Sequence, residues 1–360
     1  MAYSSISKST DYFSVKTYAG NNGSQSITGV GHQPDWIWIK KRDGSADSSV
    51  MDSVRGVRKS LTTNNAEAEY TETAALSSFD SDGFSFDGSG FDHVNTSNNF
   101  VAWCWKAGTT SGISTDGETD ITPSAYSFNA TSGVSIVKYT GTGTSGEGVP
   151  HGLGAKPQFI MVKRTDTSGA WTVFTQEHLN TSNATKFFEM HNTDAESTNT
   201  NRWNGWQPDT VNFYLGNASE VNASGGTYVA YVFANKTGFS KHGRLTSCGS
   251  DDGVFTYTGF APKLVIIKPI ISDGWSNWYM FDTARDSNLN DMPLYVNLST
   301  QEGYYGGSPA SNYAQIDVLS NGFKIRRDGS WGAGGSGAES IYMAFGQSIV
   351  GSNNTPATAN

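Results

Sequence analysis

Short apolar runs separated by polar, Gly-rich stretches follow one another along this 360-residue chain, and the same order of runs occurs three times. Each copy opens on a strand-like run and a turn: FSVKTYAGNNG from Phe13, VSIVKYTGTG from Val134 and GRLTSCGSDDG from Gly243. An apolar run after a proline comes next, as HQPDWIWIKKR (His32 to Arg42), AKPQFIMVKR (Ala155 to Arg164) and APKLVIIKP (Ala261 to Pro269). Polar residues then lead to MDSVRG, VFTQEH or FDTARD, and later to DGFSFDG, DTVNFYLG or SNGFKIRRDG. Each copy closes on an aromatic run: FVAWCWKAG from Phe100, TYVAYVFANKTG from Thr227 and ESIYMAFG from Glu339. The runs are four to eight residues long, rich in β-branched and aromatic side chains, and bounded by Gly, Asn, Asp and Ser, which is the pattern of strands.

The strand prolines at positions 34, 157 and 262 set successive copies 123 and 105 residues apart. That is domain length, where solenoid units run to roughly 20–50 residues, so each copy is expected to bury a core and fold as a module. The expected fold is all-β, three tandem β-sandwich modules of jelly-roll-like type. The expected boundaries are an N-terminal docking arm at 1–12, module one at 13–108, a linker at 109–133, module two at 134–238, module three at 239–349 and a tail at 350–360. One stretch, Asn65 to Phe79, reads as a helix candidate. The closing run at Val101, Trp103 and Trp105 alternates with Ala102 and Cys104 and has no polar face, so it must be covered on both sides. Trp103, Tyr231 and Phe345 are expected to share one core slot.

Charge narrows the partners. With 24 Lys and Arg against 33 Asp and Glu, the net charge is −9 and basic residues do not cluster, which argues against nucleic acid. No apolar run is long enough to span a membrane, and the start MAYSSISKST lacks the features of a signal peptide. Membrane insertion and ordinary secretion are therefore not expected. Cys104 and Cys248 fall in different copies and read as free thiols.

Candidate chemistry is sparse. The six histidines show no zinc spacing. Asp80, Asp82, Asp87 and Asp92 in FDSDGFSFDGSGFD form an oxygen-rich, Gly-bent cluster of a kind that suits calcium, but it lacks the order and the terminal Glu of an EF-hand, which favours a hydrated turn over a calcium site. No other cofactor is expected. Glycosidase chemistry needs two carboxylates facing across a cleft, and neither Glu177 with Glu189 nor Asp282 with Asp286 stands out as such a pair. An enzyme is not expected. Several aromatics lie in polar, loop-like settings: Trp275, Trp278, Trp331, Tyr304 and Tyr305. They read as a ligand-contacting aromatic tip or, alternatively, as packing, since Trp275 and Trp278 match the position of Trp171.

The combination of QPDWIWIKKRDG, DSVRG, FDSDGFSF and FVAWCWKAG with VSIVKYTGTG, GVPHGLGAKPQFIMVKR, YVAYVF and IYMAFG resembles a repeat family of virion structural and tail fibre proteins in tailed phages of marine bacteria. The resemblance runs from about Phe13 to Ile349 and defines no catalytic residues. It departs in the third copy, where GRLTSCGSDDG is compact and IYMAFG runs into GQSIVGS, making that copy the expected place of a specialised contact. The resemblance implies a virion protein assembled in the host cytoplasm, in a tail fibre or host-contacting tail appendage. The alternatives are a capsid decoration or head-fibre protein and a glycan-binding or glycan-cleaving lectin-like protein. Implied partners are other tail or capsid proteins and a host surface glycan or protein, in a homo-oligomer such as a trimer.

Overall fold

The computed structural model describes residues 4–350 except 89, 179–184, 272–274, 287–288, 291, 306–307, 310–313 and 327–330. The protein is all-β, and the strand pairings within its sheets are antiparallel. Three large sheets repeat one unusual order, in which the closing strand of each copy inserts between its opening strand and its proline strand. In the first copy the order is Phe13–Ala19, Asn99–Trp105, Trp36–Lys41, Ser49–Asp52, Lys59–Thr62 and Tyr70–Thr71. The second copy runs Ala125–Asn129, Val134–Thr140, Thr227–Phe233, Phe159–Arg164, Thr172–Thr175, Lys186–Glu189 and Ser197–Thr198. The third runs Ser240–Thr246, Glu339–Gln347, Ala261–Pro269, Tyr279–Asp282 and Leu294–Tyr295.

A small sheet covers one face of each large sheet. It is built from Gln25–Thr28, Gly83–Phe86 and Leu76–Asp80 in the first copy, and from Glu147–Pro150 and Asn212–Leu215 in the second. In the third it comprises Phe255–Tyr257, Gly322–Arg326, Gln315–Leu319 and Leu289–Asn290. Between each pair of sheets lies a separate apolar core: Ile37, Ile39, Phe84 and Phe100 in the first copy, Val137, Ile160, Phe213 and Val232 in the second, Val265, Ile267, Phe323 and Ala344 in the third.

The opposite faces of the three large sheets meet one another. Trp36, Trp38, Trp103 and Trp105 join Phe159, Met161, Tyr231 and Phe233 and also Leu264, Ile266, Met343 and Phe345 in one central cluster. Trp36 stacks on Trp105 at 4.1 Å and on Tyr231 at 5.0 Å, and Phe345 lies 5.5 Å from Trp105 and 5.9 Å from Phe233. This double burial is what the closing strands demand, since alternation sends their even and odd residues to opposite faces. The three copies therefore do not stand as separate domains. Each has a private outer core and a share of the common one.

The structure corrects four expectations. Trp36, Phe159 and Leu264 pair with Trp105, Phe233 and Phe345, so Phe345 is the counterpart of Trp105, and Met343 takes the slot of Trp103 and Tyr231. The stretch from Asn65 to Phe79 is not a helix: it holds the strand Tyr70–Thr71 and enters Leu76–Asp80, because tertiary pairing outweighs its Ala and Glu content. Residues 109–133, expected as a linker, contribute the edge strand Ala125–Asn129 to the second large sheet. Ser4 to Tyr12, expected as a docking arm, lies along the body, with Ile6 buried in the common core and the Ser9 amide donating to Gln347 Oε1 at 2.6 Å. The tail at 351–360 lies outside the described residues.

Because the inner faces share a core, removing one copy would expose apolar surface on both others. Calorimetry of the whole chain is expected to give a single unfolding transition with calorimetric and van't Hoff enthalpies equal. Separate transitions for the three copies would contradict the shared core.

Candidate functional site

Equivalent residues build the three seams between copies, and each seam points the same way round. Six positions after the strand proline stand Lys40, Lys163 and Lys268, all without exposed surface. Their ammonium groups cross to backbone carbonyls of a neighbouring copy: Lys40 to Leu298 at 2.6 Å, Lys163 to Ala66 at 3.5 Å and Lys268 to Thr193 at 3.2 Å. Lys163 and Lys268 also donate within their own copies, to the carbonyls of Arg164 and Ser276. Burial pushes the pKa of Lys40 down to about 7 and that of Lys163 to about 8. Two residues farther on, the carbonyls of Arg42, Thr165 and Ile270 accept the amides of Glu302, Glu69 and Glu196 at 2.8, 3.0 and 3.0 Å. The first copy thus reaches the third, the second reaches the first, and the third reaches the second, closing a ring.

Two seams carry an ionic clasp in addition. Asp52 accepts Arg55 Nε at 2.5 Å and the Tyr231 hydroxyl at 2.7 Å, and Glu69 lies 3.3 Å from the same guanidinium. Asp282 accepts Arg285 Nε at 2.6 Å and the Trp103 indole N–H at 3.1 Å, with Glu302 at 3.1 Å from Arg285. Burial opposes the charge on Arg55, but the carboxylates around it prevail and its pKa rises. At the third seam the acceptor's position is held by Thr175, the counterpart of Asp52 and Asp282, and the donor's by Met343. Donor and acceptor are replaced together, so neither is left as an unsatisfied buried group. Trp171 and Trp278 share a slot, as their match in sequence suggested, and each sends its indole N–H across a seam, to Thr62 O at 2.7 Å and Glu189 O at 3.3 Å.

The four aspartates expected as a calcium cluster do not converge. Asp80 accepts the hydroxyls of Ser78 and Ser85, Asp82 accepts the amides of Gly29 and Gly31, Asp87 pairs with Arg58 and Asp92 with Lys41. Strand alternation and turns aim them apart, and among the described residues no three His, Cys, Asp or Glu side chains gather as a metal would require. The aromatic tip also disperses. Trp278 is in the common core and Trp331 in the third outer core, where its ring meets Tyr279 at 4.8 Å, so neither is open to a ligand. Trp275 and Tyr304 are exposed, and the side chain of Tyr305 lies outside the described residues. Of the acid pairs, Asp282 is held by Arg285, while Glu189 is bound by Arg202 and Asn192.

A cleft of about 880 Å³ opens where the chain passes from the first copy to the second, lined by His32, Asp35, Ser53, Lys106, Ser124 and Tyr126 among others. Asp35 accepts the Ala107 amide and the hydroxyls of Ser53 and Ser127, so its carboxylate works as a tie between copies. Burial lowers the pKa of His32, whose Nδ1 faces the Thr10 carbonyl at 2.7 Å. Within the cleft, Asp35 and His32 Nδ1 are engaged in holding the chain.

The repeated sheets and their seams span nearly the whole sequence, and residues 8–348 match one protein family, described as a domain of unknown function, DUF7483. The chain belongs to the DUF7483 family. No curated protein matches it. The DUF7483 match begins ahead of the first opening strand and ends after the third closing strand, so the family unit takes in all three copies and their common core.

Sequence reasoning passed over the seam lysines, although a Lys six residues after each proline was a visible signal. It also passed over Phe255 and Tyr257, exposed at 42% and 52% on a strand of the third small sheet, whose alternation with Thr256 marks an outward face.

Replacing Asp52 or Asp282 by Ala strands a buried guanidinium and is expected to cost ~3–5 kcal/mol in urea unfolding, whereas Thr175→Ala at the equivalent slot is expected to cost only about 1 kcal/mol. Equal losses at all three positions would contradict the clasp.

Acid should destabilise the fold through two histidines. Burial pushes His242, ringed by Phe159, Phe233 and Phe345, down to about 3, and His151 to about 4. Both are neutral when folded but bind a proton near pH 6.5 when unfolded, so stability falls as pH drops below 6.5. The loss reaches ~1.4 kcal/mol per pH unit for each group. His242→Val, borrowing the residue of the equivalent position Val15, should flatten the slope of stability between pH 6.5 and 4 by about one proton's worth; an unchanged slope would count against the assignment.

Proposed function

We propose that the chain is a non-enzymatic structural protein of a tailed-phage particle, a component of a tail fibre or other host-contacting appendage. The observation that carries this reading is the resemblance of its repeats, over nearly the whole chain, to the virion structural and tail fibre repeats of marine phages. The physics of the fold supports it. Stability rests on doubly buried sheets and on seams of buried hydrogen bonds, and such terms persist at the ionic strength of seawater, where exposed ion pairs contribute little. The net charge of −9 disfavours adhesion to the particle's own DNA. Its partners on this reading are other tail proteins, with the third copy turned toward the host by analogy with the usual polarity of fibres. The three copies supply within one chain the threefold packing that a trimer of shorter chains would assemble.

That threefold closure also favours a second reading, a capsid decoration or head-fibre protein seated on a threefold position of the lattice. Copy number decides between the two. Quantitative mass spectrometry of purified particles, scaled to the major capsid protein, is expected to find on the order of ten copies, matching the few symmetric tail positions of a closed assembly. Hundreds of copies would make it a decoration protein, and its absence from particles would overturn the virion reading.

A further inference from the structure

Equivalent positions on the three small sheets differ on the face turned away from the core. In the first copy the outward row is polar: Thr28, Gly83 and Asp80 lie side by side, next to Ser26, Ser85 and Ser78. In the second copy the counterparts of Ser26 and Thr28 are Gly148 and Pro150, and the chain itself covers them. Residue Thr119 forms a parallel bridge to Gly148, the amides of Asp120 and Ile121 donate to the Gly148 carbonyl at 3.0 and 3.1 Å, and a Cβ on Gly148 would lie 2.1 Å from Glu118 O. In the third copy the same row is apolar. Tyr257 and Leu319 flank Gly322, and Phe255 stands beside them, its ring so close across Gly322 that a Cβ there would meet Cε2 at 2.7 Å.

Phe255, Tyr257 and Leu319 are 42%, 52% and 40% exposed, and Val254 adjoins them at 36%. The strand that carries them, Phe255–Tyr257, is the edge of its four-stranded sheet. Charged neighbours are engaged: Asp252 with Lys324 and Arg326, both at 2.5 Å, Asp317 with Arg326 at 3.0 Å, and Lys241 with the Tyr257 carbonyl at 2.7 Å, its ammonium 5.5 Å from the centre of the Tyr257 ring, which leaves Phe255, Leu319 and Val254 as the uncapped part of the patch. What the patch offers is apolar area beside a strand edge, where an added strand gains main-chain bonds and seats alternate side chains. We infer that this face binds an extended polypeptide segment of a partner protein, apolar at alternate positions, in the place that residues 116–121 hold on the second copy. The inference does not depend on the virion reading, because the covered second copy supplies the precedent within the same chain.

The test uses the full chain and dye-labelled decapeptides that alternate Val, Ile, Leu or Phe with Thr, followed by fluorescence polarisation and amide hydrogen exchange. Binding is expected to protect the amides around residues 254–258. The triple variant Phe255→Ser, Tyr257→Thr, Leu319→Asp carries the first copy's residues and should weaken binding at least tenfold with the melting temperature unchanged. The reciprocal pair Ser26→Phe, Thr28→Tyr should create a second site, which keeps the test decisive should the triple variant fold poorly. Absence of binding, binding unaffected by either exchange, or protection elsewhere would overturn the inference. So would self-association of the parent chain that the triple variant abolishes, which assigns the face to a second copy, or glycan binding lost in that variant, which assigns it to a sugar.

Discussion

Burial of the three large sheets on both faces is the constraint from which the rest of the structure follows. A sheet covered on one side needs only alternation, with a polar residue at every second position. These sheets carry large apolar residues toward both cores, with the tryptophans of the first copy's large sheet all turned to the common one. Fully burying one large apolar side chain is worth ~1.5–3 kcal/mol relative to leaving it in water, so a copy left alone would expose several such groups at once. The position of each closing strand follows from the same demand. In the first two copies it is the most apolar strand, and in all three the order of strands places it between two partners.

Polar groups at the seams are arranged so that burial leaves them partnered. Three equivalent lysines reach backbone carbonyls of the next copy, and the backbone pairs two residues away at every seam. An ammonium without exposed surface is costly unless hydrogen-bonded, and the lowered pKa values of Lys40 and Lys163 are the sign of that cost. Such groups favour one arrangement of the copies over others, because sliding a sheet would strand a donor. The two Asp–Arg clasps act in the same sense. The third seam shows that the ring tolerates their loss when acceptor and donor change together.

Strand content was legible because it rests on local signals: alternation, β-branched residues and turn glycines. The need to cover the closing strands twice was legible as well, from Val101 to Trp105 alone. What covers them was not, since the inner partner of Trp36 is Tyr231, nearly two hundred residues away. Register was misjudged by two residues at Phe345 because ESIYMAFG matches its relatives only loosely, and pairing with Leu264 decides it. Trp278 and Trp331 looked like loop aromatics since their neighbours are Gly, Ser and Asn. Those small residues let the chain turn so that the indoles point inward, and composition says nothing of direction.

Repetition within one chain also frees the copies to diverge in a way that identical subunits cannot. In a symmetric trimer, a change that suits one outer face is imposed on all three. Here the inner faces remain coupled through a common core and have kept their slots, with Trp105, Phe233 and Phe345 converging on one another. The outer sheets answer only to their private cores, and they have separated into a polar face, a face covered by the chain's own segment and an apolar face. Divergence is thus steered outward by packing: a substitution at Trp103 must be matched across the seam at Asp282, while Phe255 is 42% exposed on the outer face of its sheet.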